Sequence, residues 1–307
     1  MEKPLCGDKA IHLRGIKLMA DYENPAKLFL EDHSVESLAD VIAYTDFLRK
    51  ESGLSSDPPI NIKNIIDRFG MHAPQAIPLP QQQGTTIPFL GTPQIIIHAG
   101  DPASRQKYSI AHELVELLFL ELPGGIRPDR LKENIFGIKK ERICQKAAGN
   151  LLMPRDSFYP RAMQIGLSFQ SAEILADVYK VSLMAALCRM TDMYPKQSIF
   201  ILWQLRHKPT ELKKKVPETQ IEIPGFHPTN LPEPKLRVAW RYGDYKGQFM
   251  PVDKSIPKDS SVYIAWENNQ PSSGAEIIPF GSYNVKAFIE SKPILINGER
   301  YVLSLVR

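Results

Sequence analysis

Between Ser104 and Glu121 the apolar residues Tyr108, Ala111, Leu114, Val115, Leu118 and Phe119 return at three- and four-residue steps. That is the period of an amphipathic helix packed on a core, and Pro123-Gly124-Gly125 closes the run. This helix constrains the chain more than any other segment because of what it carries. His112 and Glu116 stand four residues apart, hence on one face, with Glu113 one step round. A carboxylate oxygen ligates zinc at about 2.0–2.2 Å, much as an imidazole nitrogen does. The pattern is thus the metal-binding H-E-x-x-H helix with glutamate at the second histidine, and in that helix the intervening Glu is the general base toward water. Alone, H-E-x-x-E fits the polar face of many helices equally well.

A second segment adds to it. Glu141-Arg142-Ile143-Cys144-Gln145-Lys146-Ala147-Ala148-Gly149-Asn150-Leu151-Leu152-Met153-Pro154 reads as another helix ending at proline. A catalytic zinc needs three protein ligands and an open position, and Glu141 is the candidate third. The run Lys139-Lys140-Glu141-Arg142 also fits a solvated helix face with helix-compatible charge pairs.

Taken together, Arg105, Tyr108, Ser109, Ala111, His112 and Glu113, followed by Glu141 ten positions before Leu151-Leu152-Met153-Pro154, resemble the ImmA/IrrE family of metallopeptidases. That family pairs R-x-x-F-T-x-A-H-E-x-G-H with a downstream E-x-x-A-N-x-F-A-x-x-L-L-M-P. The similarity continues upstream through Pro58–Gly70 and a strand pair from Gly84 to His98, and downstream through a helix-turn-helix-like close from Leu175 to Met190. The resemblance implies an α+β fold: a mainly helical, zincin-like metallopeptidase domain with a small N-terminal sheet. It implies His112, Glu116 and Glu141 as metal ligands, Glu113 as the catalytic base, zinc as the first choice of divalent metal and manganese as the second. Its substrate would be a helix-turn-helix transcriptional repressor, cleaved to relieve repression under stress or in mobile-element control. The alternative is a catalytically degenerate sensing or protein-binding module, and a nucleic-acid-binding regulator ranks third.

The departures from the family pattern carry physical weight. Val115 stands for Gly, Glu116 for the second histidine, Cys144 for Ala, Gln145 for Asn and Ala147 for Phe. With His112, Glu116 and Glu141 as ligands, two negative charges neutralise a divalent cation, so its Lewis acidity falls. Oxygen-rich ligation also moves preference toward harder ions such as manganese. On this reading Glu116→His raises zinc affinity. His98, at the end of the Ile95-Ile96-Ile97 strand, is an accessory candidate that could replace the missing imidazole, and Tyr159 is a candidate oxyanion donor. The plainer readings are a structural histidine and a half-buried aromatic. Cys144 reads as a small buried side chain.

The remaining chain sets the context. Cys6, Cys144 and Cys188 are odd in number and scattered, which argues for a reducing cytoplasm rather than a disulfide framework. No apolar run suits a membrane span, and the first residues lack a signal-peptide core. The net charge of +4 lies wholly before Val216, since Val216–Arg307 holds ten basic and ten acidic residues. Arg206-His207-Lys208 and Lys213-Lys214-Lys215 contribute to it and read as a solvated linker rather than a nucleic-acid site. In the helix-turn-helix-like unit only Arg189 could read bases, so that unit reads as internal packing and nucleic acid is not the expected partner.

The expected organisation is an N-terminal extension (1–35), the metallopeptidase domain (36–207), a Pro-rich basic linker (208–234) and a small antiparallel all-β C-terminal domain (235–307), either sandwich or barrel. Strands are expected at Leu236–Trp240, Gly247–Val252, Ser261–Trp266, Ala275–Pro279, Val285–Ile289, Ile294–Ile296 and Arg300–Val306, with Asn297-Gly298 as a hairpin turn. Trp240, Tyr242, Tyr245, Phe249, Tyr263 and Trp266 could form a binding face beside Arg237, Arg241 and Lys246, although core packing is the commoner fate of such residues.

Overall fold

Apolar periodicity in the chain resolves into an α+β structure. The computed structural model describes residues 21–79, 84–89, 91–122, 134–135, 138–212, 232–248, 250–281 and 283–307. The expected Pro123-Gly124-Gly125 stop, Cys6, Phe249, Lys213–Lys215 and most of the linker lie outside the described residues. Contacts divide the chain into two units, the first holding the residues up to Ser55 and Ile60–Leu151, the second Ser56–Pro59 and Leu152–Arg307.

The first unit begins with α1 (Pro25–Asp32), α2 (Leu38–Glu51) and α3 (Ile62–Arg68). Each starts where a short polar side chain satisfies free N–H groups: Asn24 accepts from Ala26 and Lys27, Ser37 and Asp40 form a reciprocal capping box, and Asn61 accepts from Lys63. Next come β1 (Gln75–Ile77), β2 (Gly84–Phe89) and β3 (Thr92–His98), forming a sheet in the order β1-β3-β2 with β1 parallel and β2 antiparallel to β3. The expected strand pair is therefore present. The central helix α4 (Ala103–Glu121) follows, and after it β4 (Asn134–Ile135), β5 (Ile138–Lys139) and α5 (Lys140–Leu152).

From Ala111 to Phe119, α4 is buried almost all round, with only His112 partly exposed. The helix packs against α1, α2, α3 and β3, whose Phe29, Tyr44, Leu48, Ile65 and Ile95 are fully or nearly fully buried. Each such side chain contributes about 1.5–3 kcal/mol by leaving water. The burial also carries Glu113 and Glu116 inside with the helix, and this positions the site.

The second unit runs through α6 (Arg155–Ile165), α7 (Phe169–Tyr179), α8 (Leu183–Met193), β6 (Gln197–Arg206), α9 (Pro209–Leu212), β7 (Lys235–Tyr245), α10 (Ser261–Asn268), β8 (Ser272–Phe280), β9 (Tyr283–Ile296) and β10 (Glu299–Val306). Its five strands form one antiparallel sheet in the order β7-β6-β10-β9-β8. Ile199, Ile201, Trp203, Leu236, Val238, Ile278 and Ile289 join Val262 and Ala265 of α10 in one core. Asn297 and Gly298, both at positive φ, turn β9 into β10 as the Asn-Gly signal requires.

Three expectations need correction here. Ser261–Trp266 is helical, so the C-terminal region is neither all-β nor a sandwich or barrel. A short apolar run is ambiguous between strand and helix, and the ends decide it: Ser260 accepts from the Tyr263 N–H and Asn269 adopts the left-handed conformation. Gly247–Val252 is not a strand among its described residues. The 36–207 span grouped β6 with the first domain, whereas β6 pairs with β7 and β10.

In the helix-turn-helix-like pair α7–α8, Arg189 is buried with its guanidinium over the Tyr159 ring at 5.3 Å. The side chain that alone could read bases thus packs internally. Of the aromatic residues expected to share one face, Tyr245 and Tyr263 are buried in the core cluster, while Trp240 and Tyr242 pack with Phe200. Among the described residues no helix is long and apolar enough to cross a membrane.

Candidate metal centre

Helices α4 and α5 bring two of the candidate carboxylates each within 4 Å of His112. His112 Nε2 stands 3.6 Å from Glu116 Oε1 and 3.7 Å from Glu141 Oε2. The helical repeat of α4 alone accounts for the first distance. The second requires α5 to start beside the middle of α4, which its buried face of Ile143, Ala147, Ala148 and Leu151 secures. Among the described residues, the ligand atoms of His112, Glu116 and Cys144 also form a set lying within 4.8 Å of one another.

Two atoms therefore compete for the place of third ligand, Glu141 Oε2 and Cys144 Sγ, the latter 3.9 Å from Glu116 Oε1. The set whose atoms all lie within 4.8 Å of one another holds Cys144 and not Glu141. Burial, reinforced by the Glu116 carboxylate, pushes the Cys144 thiol pKa well up, so a metal ion binding there would have to displace its proton. Glu141 is a half-exposed carboxylate whose other oxygen accepts from Gln145 Nε2 at 2.7 Å. Gln145 is tied in turn by the Tyr108 hydroxyl, which donates to its carbonyl at 2.8 Å. The donor set suits a divalent ion: one imidazole and two carboxylates, each with an oxygen within 4 Å of the ring nitrogen.

The electrostatics follow from burial and proximity. Burial opposes charge on His112, but Glu116, Glu141 and Glu113 outweigh it and raise the imidazole pKa. Burial likewise opposes the Glu116 carboxylate, and His112 with Lys140 outweighs that and lowers its pKa. Glu113 differs. Its burial dominates, only partly offset by the Thr86 hydrogen bond, and its pKa is pushed up to about 7. Thr86 Oγ1 donates to Glu113 Oε2 at 2.8 Å and fixes the carboxyl from the neighbouring strand β2. At Gly84 on the same strand, a Cβ would stand 3.2 Å from Glu113 Oε1, so glycine leaves this carboxyl its space.

The accessory candidates have other surroundings. His98 Nδ1 accepts from the Leu79 N–H at 2.9 Å, which ties the end of β3 to the segment after β1. It is absent from the ligand-atom set among the described residues. Tyr159 belongs to the second unit, where its ring lies under the guanidiniums of Arg155 and Arg189, at 5.2 and 5.3 Å.

Sequence reasoning missed Lys140. Read as part of a solvated charged face, it has no exposed surface, and its Nζ lies 3.2 Å from Glu116 Oε2 and 5.4 Å from the centre of the Phe119 ring. Its burial had a signal in the chain. Position 140 precedes Cys144, Ala147 and Leu151 at helical spacing and so falls on the apolar face of α5.

Residues 69–191 match the Peptidase_M78 family model, described as the IrrE N-terminal-like domain. No curated protein matches the chain. Among solved structures, a Mycobacterium tuberculosis transcriptional regulator is similar over 92% of this chain and 80% of that one, with 12% sequence identity and a TM-score of 0.53. At that identity the likeness concerns the fold alone.

Proposed function

We propose that this chain, whose residues 69–191 match the IrrE N-terminal-like domain model, is a metal-dependent endopeptidase of regulatory type, in which His112, Glu116 and Glu141 hold a divalent ion and Glu113 is the base. One observation carries the reading: two carboxylate oxygens lie 3.6 and 3.7 Å from one imidazole nitrogen. Ligands at about 2.1 Å around a tetrahedral zinc are roughly 3.4 Å apart, close to both separations from His112, and Glu141, which is outside the set within 4.8 Å, would have to swing toward Glu116 to complete the site. Zinc is the first choice, and manganese follows from the two oxygen ligands.

A divalent ion bound there supplies Lewis acidity, polarising a carbonyl and acidifying water. The chain's own residues handle the proton. Glu113, held by Thr86 and with its pKa near 7, accepts a proton from water as the water oxygen attacks the scissile carbonyl. It returns that proton to the amine nitrogen as the C–N bond breaks. Strand β2 is last in its sheet among the described strands and presents Thr86 to Glu113, so an extended peptide added to that edge would run past the base. The substrate class is a protein, and a helix-turn-helix repressor is the substrate that the family resemblance implies.

A second reading, a protein-binding or sensing module without peptidase activity, is favoured by Glu116 in place of an imidazole. Metal content of the purified chain and cleavage of a repressor encoded beside it test the two together. Glu113→Gln should retain the metal and lose at least about a hundredfold in cleavage rate. Cleavage that survives the substitution removes Glu113 as the base, and a native chain with neither metal nor cleavage supports the second reading.

A further inference from the structure

The Glu116 carboxylate faces two ways. Oε2 accepts from the ammonium of Lys140 at 3.2 Å, while Oε1 is turned to His112 Nε2 at 3.6 Å and Cys144 Sγ at 3.9 Å. Lys140 has no exposed surface, and besides this oxygen its Nζ meets, among the described residues, the face of Phe119. A buried ammonium is costly unless an anion compensates it. The two residues are therefore bound to each other, and a single oxygen of the pair remains for the ligand cluster.

We propose that Glu116 and Lys140 act as one metal ligand, an ion pair whose charges cancel and whose remaining oxygen, Oε1, takes the place of a neutral imidazole. The charge count shows what this achieves. His112 is neutral as a ligand and Glu141 carries one negative charge, so with Glu116 alone the set would hold two. The Lys140 ammonium returns the set to one, which is the charge of two histidines and one carboxylate. A divalent ion then keeps a net positive charge, and with it the Lewis acidity that a second bare carboxylate would remove. Lys140 touches neither ion nor substrate. It is a positioning residue acting through Glu116, holding Oε2 so that Oε1 points inward, in the way outer partners orient metal ligands.

This inference rests on the proposed metal site and reverses the expectation drawn from the motif. Judged by the motif alone, Glu116→His completes H-E-x-x-H and strengthens zinc binding. With Lys140 in place, it strands an ammonium beside the cation.

The test is zinc affinity, measured by competition with a chromophoric chelator on the full chain, together with the thermal midpoint of the metal-free protein. Lys140→Met should bind zinc at least about tenfold more tightly than the native chain, because the set gains a net negative charge. Lys140→Gln keeps a hydrogen-bond donor without charge and should follow Lys140→Met. Glu116→His should bind zinc more weakly than the native chain and melt earlier, and Glu116→His with Lys140→Met should recover both. If Lys140→Met and Lys140→Gln bind zinc like the native chain, or Glu116→His alone binds as tightly as the double variant, charge cancellation is overturned while the metal site stands. If none of the four variants nor the native chain binds zinc or manganese, the metal reading fails and this inference fails with it.

Discussion

Arg237 in the second unit and Lys140 in the first are both buried cations, and their surroundings differ in kind. Arg237 donates from Nε to the Arg206 carbonyl at 3.2 Å, from Nη1 to the Asp253 carbonyl at 3.0 Å and from Nη2 to Glu211 Oε1 at 2.7 Å. Each of its nitrogens is met, two of them by backbone that cannot move away, so the guanidinium ties β7 to the end of β6 and to the turn at 253. Lys140 has three hydrogens and, among the described residues, a single oxygen acceptor, which belongs to a carboxylate that also faces the candidate metal site. A saturated buried cation holds structure together. An under-saturated one beside a shared carboxylate leaves its charge to act on whatever else that carboxylate meets.

The comparison breaks most readily at Glu116. Glu116→Leu leaves the Lys140 ammonium buried without its anion and should cost about 3–5 kcal/mol, read from the urea midpoint of unfolding. A loss below about 1 kcal/mol would mean the ammonium escapes to water, in the range of exposed pairs. Arg237→Met should cost about 2 kcal/mol through the two backbone acceptors left unpaired. Glu211→Gln should cost less than Arg237→Met, since both carbonyls still receive the guanidinium, and the reverse order would show that the anion rather than the backbone holds Arg237.

A half-buried charge sharpens the contrast with a smaller effect. Asp40 accepts from Ser37 in the capping box of α2, and this hydrogen bond, with those from the Glu36 and Ser37 N–H groups, lowers its pKa below 3.8. Its contribution is present above the unfolded carboxyl pKa and is lost as pH falls through the lower folded value. Asp40→Ala should therefore cost up to about 1 kcal/mol at neutral pH. The two proteins should converge in stability in acid below that folded value, and a constant difference at all pH values would remove the charge from the explanation.

Much of the site was legible because its signals are local. The period of Tyr108, Ala111, Leu114, Val115, Leu118 and Phe119 places α4, and the spacing of His112 and Glu116 places their side chains on one face. The hairpin at Asn297-Gly298 follows from the backbone freedom of two residues. The helix α10 was not legible, because Ser261–Trp266 is apolar enough for either structure and its cap sits one residue outside the run. Lys140 escaped for a related reason. A charged side chain in the run Lys139-Lys140-Glu141-Arg142 looks solvated until the helical register of α5 is counted from its apolar end. Cys144 had the correct burial, but its nearness to Glu116 is a contact between helices.

By itself the sequence determined which groups share a helix face: backbone periods are set by neighbours, and an imidazole and two carboxylates on α4 follow from counting. The approach of α5 to α4 was decided by the tertiary structure alone. It brought Glu141 within 3.7 Å of His112 and buried Lys140 against Glu116. Charge pairing in a protein depends on distance and on exclusion from water, and packing sets both of these between elements that lie far apart along the chain.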